Sequence, residues 1–155
     1  MRTITKTITV QAPAPKVWEV LTSPRFVPEW ADAFTPGARA ESDWKAGSDI
    51  TWTGDNGMKM QGKVVESVPE RSHKLAFAPG QMPEQDFEQV ETYALSPEGS
   101  GTKLTITHGP FAAQGYETMQ QPWDQALSSI KSLAEGDASG RSVREAERAD
   151  MAPRA

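Results

Sequence analysis

The chain has 155 residues, 21 acidic and 16 basic, with no cysteine. One domain of that length buries roughly 70% of its unfolded surface without covalent staples, and the missing thiols exclude disulfides, thiolate metal sites and cysteine nucleophiles. A net charge of −5 that is mixed along the chain rather than blocked argues against nucleic acid or an anionic membrane surface as a partner.

The opening MRTITKTITV alternates. Ile4, Ile8 and Val10 share a face with Lys6, and Thr3, Thr5, Thr7 and Thr9 take the other, which predicts a half-buried strand. The same stretch lacks the continuous apolar core of a signal peptide, and no apolar run approaches the ~20 residues of a membrane span, so a cytoplasmic protein is expected. Pro13 or Pro15 then falls where a helix tolerates proline, in its first turn. Val17, Trp18, Val20 and Leu21 follow at helical spacing, with Trp18 expected in the core. Ser23 suits the cap of a second short helix, with Pro24 at its first position and Pro28 ending it, and Trp30 lies just past the bend, where it is expected at the mouth of a cavity.

Strand signals dominate from there to about residue 109. SDITWT places Ile50 and Trp52 on one face, and Asn56-Gly57 favours a tight type I′ hairpin. Met58, Met60, Gly62 and Val64 then share a face opposite Lys59, Gln61 and Lys63. After a turn at Pro69–Arg71, His73, Leu75 and Phe77 align. FEQVETYAL offers two registers. One buries Phe87, Gln89, Glu91, Tyr93 and Leu95; the other, slipped by one residue, buries Val90, Thr92 and Ala94 and solvates Glu91. Side-chain size favours the first, and solvation of the polar pair favours the second. SPEGSG turns the chain into TKLTITH, where Leu104, Ile106 and His108 share a face. Last comes a helix carrying Met119, Trp123, Ala126, Leu127, Ile130 and Leu133 at 3.6-residue spacing, with Pro122 near its start and Gly136 as its cap.

Strand, two short helices, antiparallel meander and long amphipathic helix make an α+β order in which the helix covers the apolar face of the sheet. A curved sheet around a helix leaves a gap, a standard place for a small-molecule pocket. In this order the stretches ITKTITVQAPAPKVWEVLTSP, WKAGSDITW, GKVVESVPERSHKL, GSGTKLTITHGPF and PWDQALSSIKSLAEG resemble the START/polyketide-cyclase-like (SRPBCC) superfamily, and within it the activator-of-heat-shock-ATPase-like branch. The resemblance spans about 4–137. It implies a helix-grip (START-like, Bet v-like) fold: about six or seven curved antiparallel strands around the C-terminal helix, with a deep, largely apolar cavity between. It implies no reaction, because members include binders, carriers and cyclases. Relatives that regulate chaperones act through an additional N-terminal domain, for which these residues offer no counterpart. Residues 1–137 are expected to form the ligand-binding domain and 138–155 a disordered or loosely helical tail.

No G-x-S-x-G elbow, H-E-x-x-H pair or phosphate-binding loop is present, and two histidines are too few for a multi-histidine zinc site, so neither metal nor cofactor is called for. The candidate ligand-binding residues are Trp30, Trp52, Met58, Met60, Phe87, Gln89, Glu91, Tyr93, Leu104, Ile106, His108, Met119 and Trp123. In the first register Glu91 is desolvated beside aromatics and available for acid/base work. His108 either orients a ligand or is a strand-end histidine held by a loop. The leading expectation is binding of a small apolar or aromatic molecule without chemistry. The alternatives are a cofactor-free cyclase- or hydrolase-like enzyme using Glu91 or His108, and a chaperone-related interaction module. A monomer or homodimer suits all three.

Overall fold

The computed structural model describes residues 1–81 and 87–138. In chain order these form β1 (Arg2–Val10), α1 (Ala14–Thr22), α2 (Val27–Ala31), β2 (Arg39–Ser42), β3 (Asp49–Thr53), β4 (Lys59–Val68), β5 (Ser72–Phe77), β6 (Gln89–Glu98), β7 (Gly101–Phe111), α3 (Ala113–Thr118) and α4 (Gln120–Ala138). The seven strands make one antiparallel sheet in the order β1-β7-β6-β5-β4-β3-β2. All connections after β2 are to the next strand, and only β1 crosses over, to pair with β7. The sheet and α4 together are the helix-grip fold.

Period-two patterning makes the gripped face. His73, Leu75 and Phe77 are buried on β5, and Leu104, Ile106 and His108 on β7. On β6 the first register is the one adopted: Gln89, Glu91, Tyr93 and Leu95 are buried, and Ala94 is exposed. Burying Tyr93 and Leu95 outweighs solvating Glu91 because Gln89 and Glu91 each make a side-chain hydrogen bond inside, to the Pro110 carbonyl and from the Tyr93 hydroxyl. From α4, the residues Trp123, Ala126, Leu127, Ile130 and Ala134 enter the core, with Leu133 half-buried. The helix packs against α1, α2 and β1. Its C-terminal half is tied to the end of β1 and the residue that follows it: Lys131 donates to the carbonyl of Thr9 at 2.8 Å, and Glu135 accepts from the backbone N–H of Gln11 at 2.8 Å.

Several local expectations are corrected. Pro28 opens α2 rather than ending the segment, since the first turn of a helix has no N–H partner for proline to remove. Residues 24–26 form a turn instead, in which the Ser23 carbonyl accepts from the backbone of Phe26 and Val27. The β3–β4 connection is not a two-residue type I′ hairpin. Only Gly57 has positive φ, at 85°, and Thr53 pairs with Lys59 across a longer loop. That loop is held from outside, the Asp55 N–H donating to the Pro36 carbonyl at 2.9 Å, and from inside, Asn56 Oδ1 accepting from Met58 N–H at 3.0 Å. Gly136 lies inside α4, because a glycine costs a helix only about 1 kcal/mol and the packed face continues to Ala134. The short β2 and α3 carry too few residues for a periodic signal. The expected tail, beyond Ala138, lies outside the described residues.

Candidate functional site

Between the sheet and the helices lies a cavity of about 290 Å³. Trp30, Trp52, Met58, Met60, Glu91, Tyr93, His108, Met119 and Trp123 line it. Sequence reasoning missed Ala31, Phe34, Thr35 and Ala38 after the α1–α2 bend, Asn56 in the β3–β4 loop, and Gln81. The small residues of WADAFTPGA were the available signal, since a wall that leaves room must be built partly of short side chains. Four expected residues lie elsewhere. Leu104 and Ile106 are fully buried core residues. The amide of Gln89 donates to the Pro110 carbonyl at 3.0 Å, which turns it to the end of the sheet. Phe87 is half-buried beside residues 82–86, which are not described.

The aromatic wall is continuous. Trp52 meets Trp30 edge-on with centroids 6.2 Å apart, Trp30 lies 6.5 Å from Tyr93, and Tyr93 lies 6.0 Å from Trp123, against which Phe34 packs at 4.8 Å. These separations suit tilted and edge-to-face contacts. Trp30 is an inner wall rather than a rim: it is buried, and its indole N–H donates to the Val20 carbonyl at 2.8 Å. Trp18, expected in the core, is half-buried at the side of α1 and packs edge-on against His73 at 5.2 Å.

One polar chain crosses this apolar wall. The Tyr93 hydroxyl donates to Glu91 Oε1 at 2.8 Å. Glu91 Oε2 lies 3.5 Å from His108 Nε2, without the geometry of a hydrogen bond. His108 Nδ1 accepts from the indole N–H of Trp123 at 3.0 Å. Thus His108 is held by α4, not by a loop. An indole nitrogen only donates, so Nδ1 carries a lone pair and the proton of the neutral ring is on Nε2, a tautomer assigned from this network. Burial holds the His108 pKa below its ordinary value, and the Glu91 charge opposes that in part. Burial, then the Glu91 charge and hydrogen bond, raise the Tyr93 pKa well above the ordinary value, so the phenol keeps its proton. His73, pushed by burial to about 3, is a neutral ring packed against Trp18, Trp44 and Tyr93. The arrangement can present donors and one carboxyl group to a molecule held by aromatic faces. Among the described residues no three carboxylate or imidazole side chains converge to hold a metal ion, and no helix is long and apolar enough to cross a membrane.

Solved structures share this architecture. Protein MLL2253 from Mesorhizobium loti is 22% identical, with a TM-score of 0.73 over 85% of this chain and 96% of its own. The Aha1 dimer from Colwellia psychrerythraea is 23% identical, with a TM-score of 0.71 over 87% of this chain and 97% of its own. CalU16 from Micromonospora echinospora is 20% identical, with a TM-score of 0.67 over 89% of this chain and 79% of its own. At these identities the likeness is one of fold. None of the curated proteins matches the chain. The family model described as Activator of Hsp90 ATPase homolog 1-like protein matches residues 11–135, covering the cavity and every element from α1 into α4, and the chain belongs to that family.

Proposed function

We propose that the protein binds a small apolar or aromatic molecule in the cavity between the sheet and α4, as a cytoplasmic monomer or homodimer and without chemistry. The observation that carries this is the lining itself. A space of about 290 Å³, at the low end for small-molecule sites, is walled by Trp30, Phe34, Trp52, Tyr93 and Trp123 together with Met58, Met60 and Met119. Aromatic faces supply area and methionine adapts to shape, and burial contributes about 25 cal/mol per Å² of apolar surface. The test is native mass spectrometry of freshly purified protein, followed by incubation with the molecule recovered. A co-purifying small molecule that returns with unchanged mass supports binding; conversion to a new mass overturns it.

A second reading, a cofactor-free enzyme, is favoured by one specific observation. Glu91 and His108 lie 3.5 Å apart and both line the cavity, so a substrate atom within hydrogen-bond reach of one lies close to the other. Conversion that His108→Ala and Glu91→Gln each abolish is its signature.

A further inference from the structure

Among the described residues, the buried side-chain nitrogen and oxygen atoms without a hydrogen-bond partner are Trp52 Nε1, His73 Nδ1, Gln89 Oε1 and His108 Nε2. Two of the four, Trp52 Nε1 and His108 Nε2, belong to side chains that line the cavity. Both are donors: an indole nitrogen has no lone pair to offer, and the Trp123 bond to His108 Nδ1 leaves the imidazole proton on Nε2. The other two indoles of the wall are satisfied, Trp30 by the Val20 carbonyl and Trp123 by His108. A buried donor left unpaired costs about 1–3 kcal/mol, a cost the fold avoids at those indoles and carries at two side chains that line the cavity.

We propose that the ligand is a neutral aromatic carbonyl compound bearing an acceptor oxygen at each of two ends, one received by the indole N–H of Trp52 and the other by the Nε2–H of His108. The inference rests on the cavity reading above and adds the chemistry of the occupant. Trp52 is on β3 and His108 on β7, so β4, β5 and β6 separate the two donors across the sheet. The carboxyl group of Glu91 adjoins His108 Nε2 at 3.5 Å, and its charge repels an anionic end. Size sets the skeleton: about 290 Å³ is the share of about ten waters at about 30 Å³ each, room for one or two rings.

Three probes of nearly one shape decide the matter: 1,4-diacetylbenzene, neutral with an acceptor at each end; 1,4-diisopropylbenzene, its hydrocarbon counterpart; and terephthalate, its dianionic counterpart. Each is titrated into the ¹⁵N-labelled full chain and followed by the indole N–H signals, with the Trp52 signal assigned by its loss in Trp52→Phe. The expected result is that the diketone binds about tenfold more tightly than the hydrocarbon and moves the Trp52 N–H signal downfield, while terephthalate binds most weakly. Equal binding of diketone and hydrocarbon with the Trp52 signal unmoved overturns the acceptor assignment and leaves the apolar cavity standing. Tightest binding by terephthalate overturns the neutral assignment. Failure of all three to perturb any indole overturns both the inference and the cavity reading beneath it.

Discussion

The indole N–H of Trp123 donates to Nδ1 of His108 at 3.0 Å, and through that bond the long helix dictates which nitrogen of a sheet histidine carries the proton. Long-range ¹H–¹⁵N spectra at pH 7 should therefore show His108 as the Nε2–H tautomer alone. Trp123→Phe should release a mixture of tautomers. It should also lower stability by about 2–4 kcal/mol in denaturant titration, through the lost hydrogen bond and the hole left by the larger ring. A single tautomer persisting in that variant would show that something else orients the imidazole.

The two histidines make the fold sensitive to mild acid. The folded pKa of His73 is about 3 against 6.5 when unfolded, so below pH 6.5 the unfolded chain binds protons that the folded one refuses. Stability is then full above the unfolded pKa and falls as pH drops toward the folded one, by up to roughly 1.4 kcal/mol per pH unit. The shift at His108 has the same sign. Between pH 7 and 5, above the carboxylate range, His73→Phe should remove about 2 kcal/mol of this loss while keeping ring contacts with Trp18, Trp44 and Tyr93. Parallel stability profiles for the two proteins would refute the assignment to His73.

Filling the cavity should cost the ligand more than the fold. Ala38 is buried and lines the space, so Ala38→Leu puts methyl groups where a ligand would sit. Affinity for an aromatic probe, read by tryptophan quenching, should drop at least tenfold, with denaturant stability changed by less than about 1.5 kcal/mol. Unchanged quenching would place the probe elsewhere.

Gly62 is required by what crosses above it. A Cβ there would lie 2.5 Å from the Phe77 ring and 2.6 Å from the Ala76 carbonyl oxygen on the paired strand. The ring can tilt away alone, but the backbone atom moves only with β5. Gly62→Ala should therefore destabilise by about 1–3 kcal/mol in a urea titration, and a neutral result would mean that β4 and β5 part at little cost.

The fold was legible wherever burial follows a period. β1, β5, β7 and α4 could be read because each carries its apolar residues at spacing two or 3.6, and Glu91 and His108 entered the candidate site through those same periods. Pro28 was misread because a proline at a helix start and one at a helix end look alike without the partners of the neighbouring N–H groups. Asn56-Gly57 carries a hairpin signal, yet the contact between Asp55 and Pro36 holds it in a longer loop, and no local pattern encodes a contact so far away in sequence. Ala31, Thr35 and Ala38 escaped notice because a cavity is defined by what its walls do not fill, and small residues are silent in a search for large ones. The tautomer of His108 needed α4 and β7 side by side.

The order of the sheet also bears on how the chain is made. β1 is complete at Val10, but its partner begins only at Gly101. Synthesis at about 5–20 residues per second leaves the first strand waiting for roughly 5–18 seconds with no neighbour to hydrogen-bond. Every other strand can zip to the one just translated. The lysine at position 6 is the kind of charge that blunts an unpaired edge, and the closing of β1 against β7 is the pairing of longest sequence separation in the sheet.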